Sequence, residues 1–328
     1  MKIMVVGGAG YIGSHVVRAL LDRGHEAAVF DDLSTGCREN LFEEAEFVEG
    51  TILDEASLGS ALDGGYDGIV HLAAFKAAGE SMTEPEKYAV NNLSGTINLL
   101  NATVKAGIPR LVFSSSAAVY GAPTYLPIDE SHPLEPENFY GFTKLEIERL
   151  LHWYAQLRGI GYAALRYFNA VGYDRQGRIR GVERKTANLM PIVMEVAIGR
   201  RPGMEIFGED YDTRDGTCVR DYVHVSDLAD AHVRALERLE GRGEHVVVNL
   251  GSQSGVSVKE MIDAARRITG KSIPATVVGR RPGDPAKLIA SSKKAHEVLG
   301  WKAECSDVDT VIATMWDAYK GLGDTDRS

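Results

Sequence analysis

Short apolar runs alternate with longer stretches whose apolar residues recur every three or four positions, and the alternation persists through the first half of the chain. The runs predict strands at Ile3 to Val6, Ala27 to Phe30, Phe47 to Val48, Gly68 to Leu72, Leu111 to Phe113 and Ala163 to Leu165. Between them, Ile12, Val16 and Leu20 make one helical stripe closed by Gly24, and Leu93, Ile97, Leu100 and Val104 make another closed by Gly107. Ile147, Leu150, Tyr154 and Leu157 mark a third. Strands alternating with helices at this spacing predict βαβ units, hence an α/β fold with a Rossmann-type, doubly wound parallel sheet.

After about residue 170 the pattern loosens into charged and glycine-rich stretches, Asp174 to Lys185 and Gly208 to Gly216. Asp227 to Leu239 reads as a helix and His245 to Leu250 as a strand that is a candidate to rejoin the first sheet. Helices follow near Val258 to Ile268 and Asp307 to Tyr319. The expected organisation is a doubly wound domain over residues 1–170 and a smaller α/β lobe over 171–328.

The unusual polar residues fall directly after strands: Gly7 to Gly13 after the first, Asp31 and Asp32 after the second, Lys76 after the fourth, Ser114 to Ser116 after the fifth, and Tyr167 to Asn169 after the sixth. In doubly wound sheets ligands bind outside the carboxyl ends of the strands. Composition narrows the classes that remain. A net charge of −10 argues against nonspecific nucleic-acid binding, which needs a basic surface. No apolar run approaches the ~20 residues that span a bilayer, and the start Met1-Lys2-Ile3-Met4 passes into glycines too early for a secretory signal, so a cytoplasmic protein is expected. Cys37, Cys218 and Cys305 are far apart and odd in number, which suits reduced thiols; no metal site is expected.

Gly7-Gly8-Ala9-Gly10-Tyr11-Ile12-Gly13 joins the first strand to the first helix, with glycines at 7, 10 and 13. Such glycines allow a tight turn, a close approach of backbone to a pyrophosphate and close helix packing, while the helix start offers free N–H groups to the anion. Asp31 ends the second strand, where a carboxylate can bind the adenosine ribose hydroxyls and would repel a 2′-phosphate. The expected cofactor is therefore NAD rather than NADP.

Tyr140 and Lys144 stand four apart in Tyr140-Gly141-Phe142-Thr143-Lys144 and share one helical face. A nearby cation favours the phenolate; lowering a tyrosine pKa from ~10 to roughly 7 takes about 4 kcal/mol of differential stabilisation. Leu111-Val112-Phe113-Ser114-Ser115-Ser116 places three hydroxyls at a strand end upstream.

The glycine loop, the serines and Tyr-x-x-x-Lys together resemble the extended short-chain dehydrogenase/reductase superfamily. Within it, Gly7 to His15, His71-Leu72-Ala73-Ala74-Phe75-Lys76, Tyr167-Phe168-Asn169, Asn188-Leu189-Met190-Pro191, Arg220-Asp221-Tyr222-Val223-His224-Val225 and Arg281-Pro282-Gly283-Asp284 resemble, in order, the UDP-glucose 4-epimerase family. The resemblance covers nearly the whole chain. It implies an isomerase of nucleotide-sugar and galactose metabolism that oxidises the hexose at C4 with tightly bound NAD, lets the keto sugar rotate, and reduces its other face. Tyr140 would take the 4-hydroxyl proton, Ser116 would hold the same oxygen, and Lys144 would bind the nicotinamide ribose and help depress the tyrosine pKa. Implied NAD contacts are Tyr11, Ile12, Asp32, Thr51 and Ile52 around the glycines and Asp31, and Ala73, Lys76, Asn91, Ser114 and Tyr167 nearer the reacting end. Implied substrate contacts are Lys76, Ser116, Asn169, Asn188, Leu189 and Ile206, followed by Phe207, Arg220, Tyr222, Arg281, Asp284 and Leu288. Arg220 and Arg281 suit a diphosphate, because guanidinium forks match phosphate oxygens; Asn188 also suits a helix cap. A homodimer through the helices of Pro85 to Ala106 and Phe139 to Leu157 is implied as well.

The chain departs from that family at Val6, usually threonine, and at Thr51, usually an adenine-contacting aspartate, which implies altered NAD affinity. Gly177 to Thr186 also differs. Leu288 stands where some members carry tyrosine and where smaller residues admit N-acetylated hexoses, so activity on UDP-GlcNAc and UDP-GalNAc is an expectation. Two relatives remain as alternatives. A 4,6-dehydratase would need an acid-base Asp-Glu pair where Ala117-Ala118 stand; the other is a UDP-uronate or UDP-pentose 4-epimerase, and a uronate enzyme would need a cation at the C6 carboxylate, for which Arg178, Arg180 and Arg184 are the candidates. A non-catalytic NAD-binding regulatory protein is the alternative of another class.

Overall fold

In the computed structural model, residues 1–183, 188–281 and 283–322 are described. The first lobe runs β1 (Lys2–Val6), α1 (Tyr11–Asp22), β2 (Glu26–Asp31), β3 (Glu46–Glu49), α2 (Glu55–Leu62), β4 (Gly68–His71), α3 (Ala78–Ser81), α4 (Pro85–Tyr88), α5 (Gly95–Lys105), β5 (Arg110–Ser116), α6 (Phe139–Arg158) and β6 (Gly161–Tyr167). Then come β7 (Asn169–Val171), α7 (Leu189–Ala197), β8 (Met204–Phe207), β9 (Val219–Arg220), β10 (Tyr222–His224), α8 (Val225–Arg238), β11 (His245–Leu250), β12 (Val256–Ser257), α9 (Val258–Thr269), β13 (Ala275–Val278), β14 (Lys287–Leu288), α10 (Lys293–Leu299) and α11 (Val308–Tyr319).

Seven strands form one parallel sheet in the order β11-β6-β5-β4-β1-β2-β3. Strand alternation sends Ile3, Val5, Val29, Val70, Val112 and Leu165 to the face covered by α1 and α8. Met4, Val6, Phe30, Ile69, Leu111 and Phe113 go to the opposite face, under α2, α5 and α6. Each such fully buried aliphatic side chain contributes roughly 1.5–3 kcal/mol relative to exposure. The chain reverses direction of winding between β1 and β4, and a crevice opens there at the carboxyl ends of both strands. His245–Leu250 does rejoin the main sheet, pairing parallel with β6 from His245 opposite Tyr162 to Leu250 opposite Tyr167.

Two sequence readings shift. β5 extends to Ser116, because Ser114, Ser115 and Ser116 pair with Leu165, Arg166 and Tyr167 of β6; the serines lie within the strand rather than after it. The stripe from Ile147 to Leu157 is not a uniform core face: Ile147 is buried, while Leu157 is 65% exposed, and Trp153 is exposed beside it. The second lobe is built from small sheets, β7 with β10, β8 with β13, and β12-β9-β14, around a core of its own that includes Met190, Met194, Met261 and Tyr319. Cys218 is a free thiol and is buried. Among the described residues no helix is long and apolar enough to cross a membrane.

Candidate active site

The loop from β1 to α1 is shaped by contacts that exclude side chains. Gly7 has φ +85°, and a Cβ there would lie 2.7 Å from the Ala73 amide nitrogen; a Cβ on Gly13 would lie 2.1 Å from the Gly7 carbonyl oxygen. α1 therefore begins tight against the loop, at the β1/β4 crevice. Its N-cap, Gly10, offers no side-chain acceptor, and no acidic residue occupies the first turn. A helix start left without a side-chain cap, at a backbone cradle that a methyl group would fill, fits a pyrophosphate. The residues present thus fit NAD, and the amides of Tyr11, Ile12 and Gly13 are those at the helix start.

Asp31 also caps the turn: its carboxylate accepts hydrogen bonds from Ala9 N at 3.0 Å and Leu33 N at 2.8 Å. Burial pushes its carboxyl above the usual range, and those amides pull it back. The two amides use one bond on each oxygen, and a carboxylate has further acceptor sites for ribose hydroxyls. Asp32 is exposed and accepts from Ser34 N at 2.9 Å. Thr51 is partly buried, Ile52 is buried, and Ile52 packs where a Cβ on Gly95 would sit, 2.5 Å from its Cδ1. Asn91 donates to Asn92 Oδ1 at 3.0 Å. Tyr11 turns its hydroxyl across to the second lobe, donating to the Gly172 carbonyl at 2.6 Å.

The reacting end is assembled from β5 and the start of α6. Asn138 caps α6 by accepting from Gly141 N at 2.8 Å. Gly141 is required because a Cβ would stand 2.4 Å from the Ala118 carbonyl oxygen, so the helix starts hard against the turn after Ser116. Tyr140 N donates to Ser81 Oγ at 3.0 Å, and Thr143 Oγ1 donates to the Tyr140 carbonyl at 2.7 Å. Tyr140 is thereby held with its phenol near enough to Ser116 for that side chain to favour the phenolate. Lys144, only 2% exposed, donates to the Ser114 carbonyl at 2.7 Å, and its Nζ lies 4.8 Å from the Phe113 ring centre and 5.7 Å from that of Tyr140. The Ser114 hydroxyl is hydrogen-bonded to Tyr167 Oη.

Burial holds the Tyr140 phenol above its ordinary value, with the Ser116 hydrogen bond pulling the other way. Burial also brings Lys144 down to about 7, against the upward pull of Glu148. The chain alone keeps a phenol here; a further positive charge is needed to favour phenolate.

Behind these residues lies a buried network that sequence reasoning passed over. Ser115 Oγ donates to Glu148 Oε1 at 2.5 Å, and Arg166 clasps the same carboxylate through Nε at 2.9 Å and a second nitrogen at 2.5 Å. Arg166 also donates to Tyr120 Oη, which donates to Asn249 Oδ1 at 2.6 Å. Glu148 follows Lys144 by one helical turn, a spacing that could have flagged it.

The second lobe brings several implied substrate residues together. The Arg281 guanidinium lies 3.7 Å from the Phe207 ring centre, and Arg220 pairs with Asp284 at 2.8 Å. Leu288 is opposite Arg220 in the β14/β9 ladder and packs with Phe168 on a cluster of Ala117, Val119, Tyr120, Ile128 and Leu145, next to Ser116 in the chain. Asn169 Nδ2 donates to the Asp221 carbonyl at 2.9 Å. Asn188 is exposed and stands at the N-cap of α7 without a side-chain cap bond; Leu189 packs on the second-lobe core.

Other assignments move. Ile206 and Tyr222 are 7% and 5% exposed within the second-lobe core, since β8 turns Phe207 outward and Ile206 inward. Lys76 is ion-paired with Glu183. Arg178 is taken by Asp174 at 2.7 Å and Asp22 at 3.0 Å, while Arg180 lines a cavity of about 620 Å³ beside Cys37 and Glu39. Arg184, Thr186 and Pro282 lie outside the described residues. Among the described residues, no three histidine, cysteine, aspartate or glutamate side chains stand together as a metal site.

The chain is similar to known proteins over nearly its whole length. Residues 3–251 match the NAD dependent epimerase/dehydratase family. A UDP-glucose 4-epimerase of Lacticaseibacillus casei is 46% identical, with 99% of each chain covered. The crystal structure of UDP-glucose 4-epimerase from Brucella ovis in complex with NAD superposes with a TM-score of 0.94 at 43% identity, covering 97% of this chain and 98% of that one. The Bifidobacterium longum enzyme in complex with NAD+ and UDP gives 0.91 at 36%, covering 98% of each. The chain belongs to the NAD dependent epimerase/dehydratase family, among its UDP-glucose 4-epimerases.

Proposed function

We propose that this protein interconverts UDP-glucose and UDP-galactose by transient oxidation at sugar C4 in the cytoplasm, and that Ser116, Tyr140 and Lys144 carry the chemistry. The supporting observation is their convergence at the end of β5, beside a glycine cradle that fits NAD. When bound, NAD supplies the hydride acceptor that an alcohol oxidation requires. Tyr140 Oη takes the proton from the sugar O4 and returns it, Ser116 Oγ holds that oxygen, and the Lys144 ammonium steadies the phenolate. Tyr11 to Gly13 and Asp31 hold NAD. Arg220 and Arg281 face the diphosphate, and Asn169, Phe207, Asp284 and Leu288 complete the UDP-sugar site. Because oxidation and reduction complete one turnover, the purified protein is expected to convert UDP-galactose to UDP-glucose without added NAD. No turnover of UDP-galactose or other UDP-sugars would leave a non-catalytic NAD-binding protein.

The alternatives lose ground on particular residues. Ala117 and Ala118 offer no acid-base pair for water elimination, and Arg178 is committed to two aspartates. Leu288 favours some activity on UDP-GlcNAc: it is smaller than tyrosine and sits on the cluster beside the reacting serine. Leu288→Tyr is expected to lower the UDP-GlcNAc to UDP-glucose turnover ratio by about tenfold, on the scale of a lost pocket fit; an unchanged ratio would remove Leu288 as the gate.

The exposed apolar residues Val90, Ile97, Phe142, Trp153 and Leu157 lie on the two helical segments expected to pair, with Trp153 58% exposed. Such a patch favours a second copy of the chain. Light scattering should give dimer mass for the wild type and monomer mass for Leu157→Glu; a monomeric wild type counts against it.

A further inference from the structure

Asp221 is fully buried, yet none of the donors around its carboxylate is charged. Oδ1 accepts from Ser252 N at 2.7 Å and Ser252 Oγ at 2.8 Å; Oδ2 accepts from Gln253 N at 3.1 Å and Ala290 N at 3.1 Å. Its own carbonyl accepts from Asn169 N at 3.1 Å and Asn169 Nδ2 at 2.9 Å. The fit is close: a Cβ on Gly251 would lie 2.6 Å from Oδ2, and Gln253 is held at φ +63°, a conformation side chains other than glycine rarely adopt.

These partners come from three separated segments, and each carries or adjoins a residue of the UDP-sugar site. Asn169 begins β7. Ala290 lies two residues beyond Leu288, whose strand pairs with Arg220. The 251–253 turn continues from β11, the edge strand of the main sheet, into β12, where Val256 also pairs with Arg220. Every side-chain contact is a donor aimed at Asp221, so asparagine would turn an NH2 against another N–H; only a carboxylate answers all four.

We propose that Asp221 is a positioning residue that locks Asn169, Arg220 and Leu288 into one substrate-binding face and ties that face to the edge of the NAD-binding sheet. The inference rests on the reading that these three residues bind the UDP-sugar. Asp221 itself contacts the binding segments and acts through them.

The test uses NAD-bound enzyme, with UDP as the calorimetric probe and UDP-galactose for kinetics. Asp221→Asn is expected to weaken UDP binding and raise KM by about tenfold or more, leaving kcat within about threefold and NAD content unchanged. Wild-type UDP affinity and KM, or a fall in kcat alone, would overturn it. Should Asp221→Asn fail to fold, Ser252→Ala decides, because it removes only the hydroxyl bond: UDP binding weakened by about threefold supports the inference, and unchanged binding overturns it. Arg220→Ala separates the two readings. If it weakens UDP binding while Asp221→Asn does not, positioning by Asp221 fails alone. If Asp221→Asn weakens binding and Arg220→Ala does not, the role of Arg220 at the diphosphate fails and the positioning role stands.

Discussion

Tyr140→Phe is expected to fold, to retain NAD, and to lose about 10²–10⁴-fold in kcat, the usual scale for removing a positioned proton-transfer group. The substitution deletes only the hydroxyl. The ring keeps its place, because α6 is fixed by Asn138, by Ser81 at the Tyr140 amide, and by the close approach of Gly141 to the Ala118 carbonyl. Lys144 also keeps its seat, since its hydrogen bond goes to the Ser114 carbonyl and one face of its surroundings is Phe113. What disappears is the oxygen that interacts with Ser116. Steady-state turnover of UDP-galactose, with NAD absorbance and circular dichroism as controls, measures the loss. A kcat near that of the wild type would remove Tyr140 from the proposed chemistry.

The second large effect is on stability in mild acid. His15, His71, His224 and His232 are buried, and burial lowers them to about 4, about 3, about 3 and about 4, from an ordinary value of 6.5. Unfolded, each histidine takes up a proton as the pH falls through 6.5; folded, it stays neutral until the lower value. The unfolded state therefore binds more protons in between, and stability is fully present above 6.5 and declines toward pH 4. Each histidine contributes up to about 1.4 kcal/mol per pH unit, so the four together reach roughly 5 kcal/mol per unit at the steepest. Against a typical total of 5–15 kcal/mol this is a large fraction of the stability. The carboxyls of Asp31, Asp221 and Asp227, raised by burial, have the opposite sign and offset part of this effect. Urea denaturation at pH 7.5, 6.5 and 5.5 should show a falling midpoint; an unchanged midpoint across that range would exclude the effect.

The geometry explains why some parts of the site were legible in the chain and others were not. The glycine loop was legible because its function is a property of consecutive backbone: Gly7 needs a positive φ and Gly13 needs its Cβ position empty, whatever happens elsewhere. The Tyr140 and Lys144 pair was legible because helical spacing puts both on one side, and Ser116 because a strand end delivers it there. Ile206 and Tyr222 were assigned to the substrate by resemblance, and only folding showed that both pack in the second-lobe core. Lys76 and Arg178 had to be judged as free cations, and only folding supplied Glu183, Asp174 and Asp22 as partners.

By itself, then, the chain determined the strand and helix alternation, the doubly wound sheet, the glycine loop and the spacing of Tyr140 and Lys144, because all of these follow from local period and covalent distance. The tertiary structure alone decided what meets across long separations. It brought Arg166 to Glu148 behind the lysine, and it gathered donors from residues 252, 253 and 290 onto Asp221. It also decided that Tyr140 stays a phenol in the protein alone, since desolvation depends on what packs around a group and not on its neighbours in sequence.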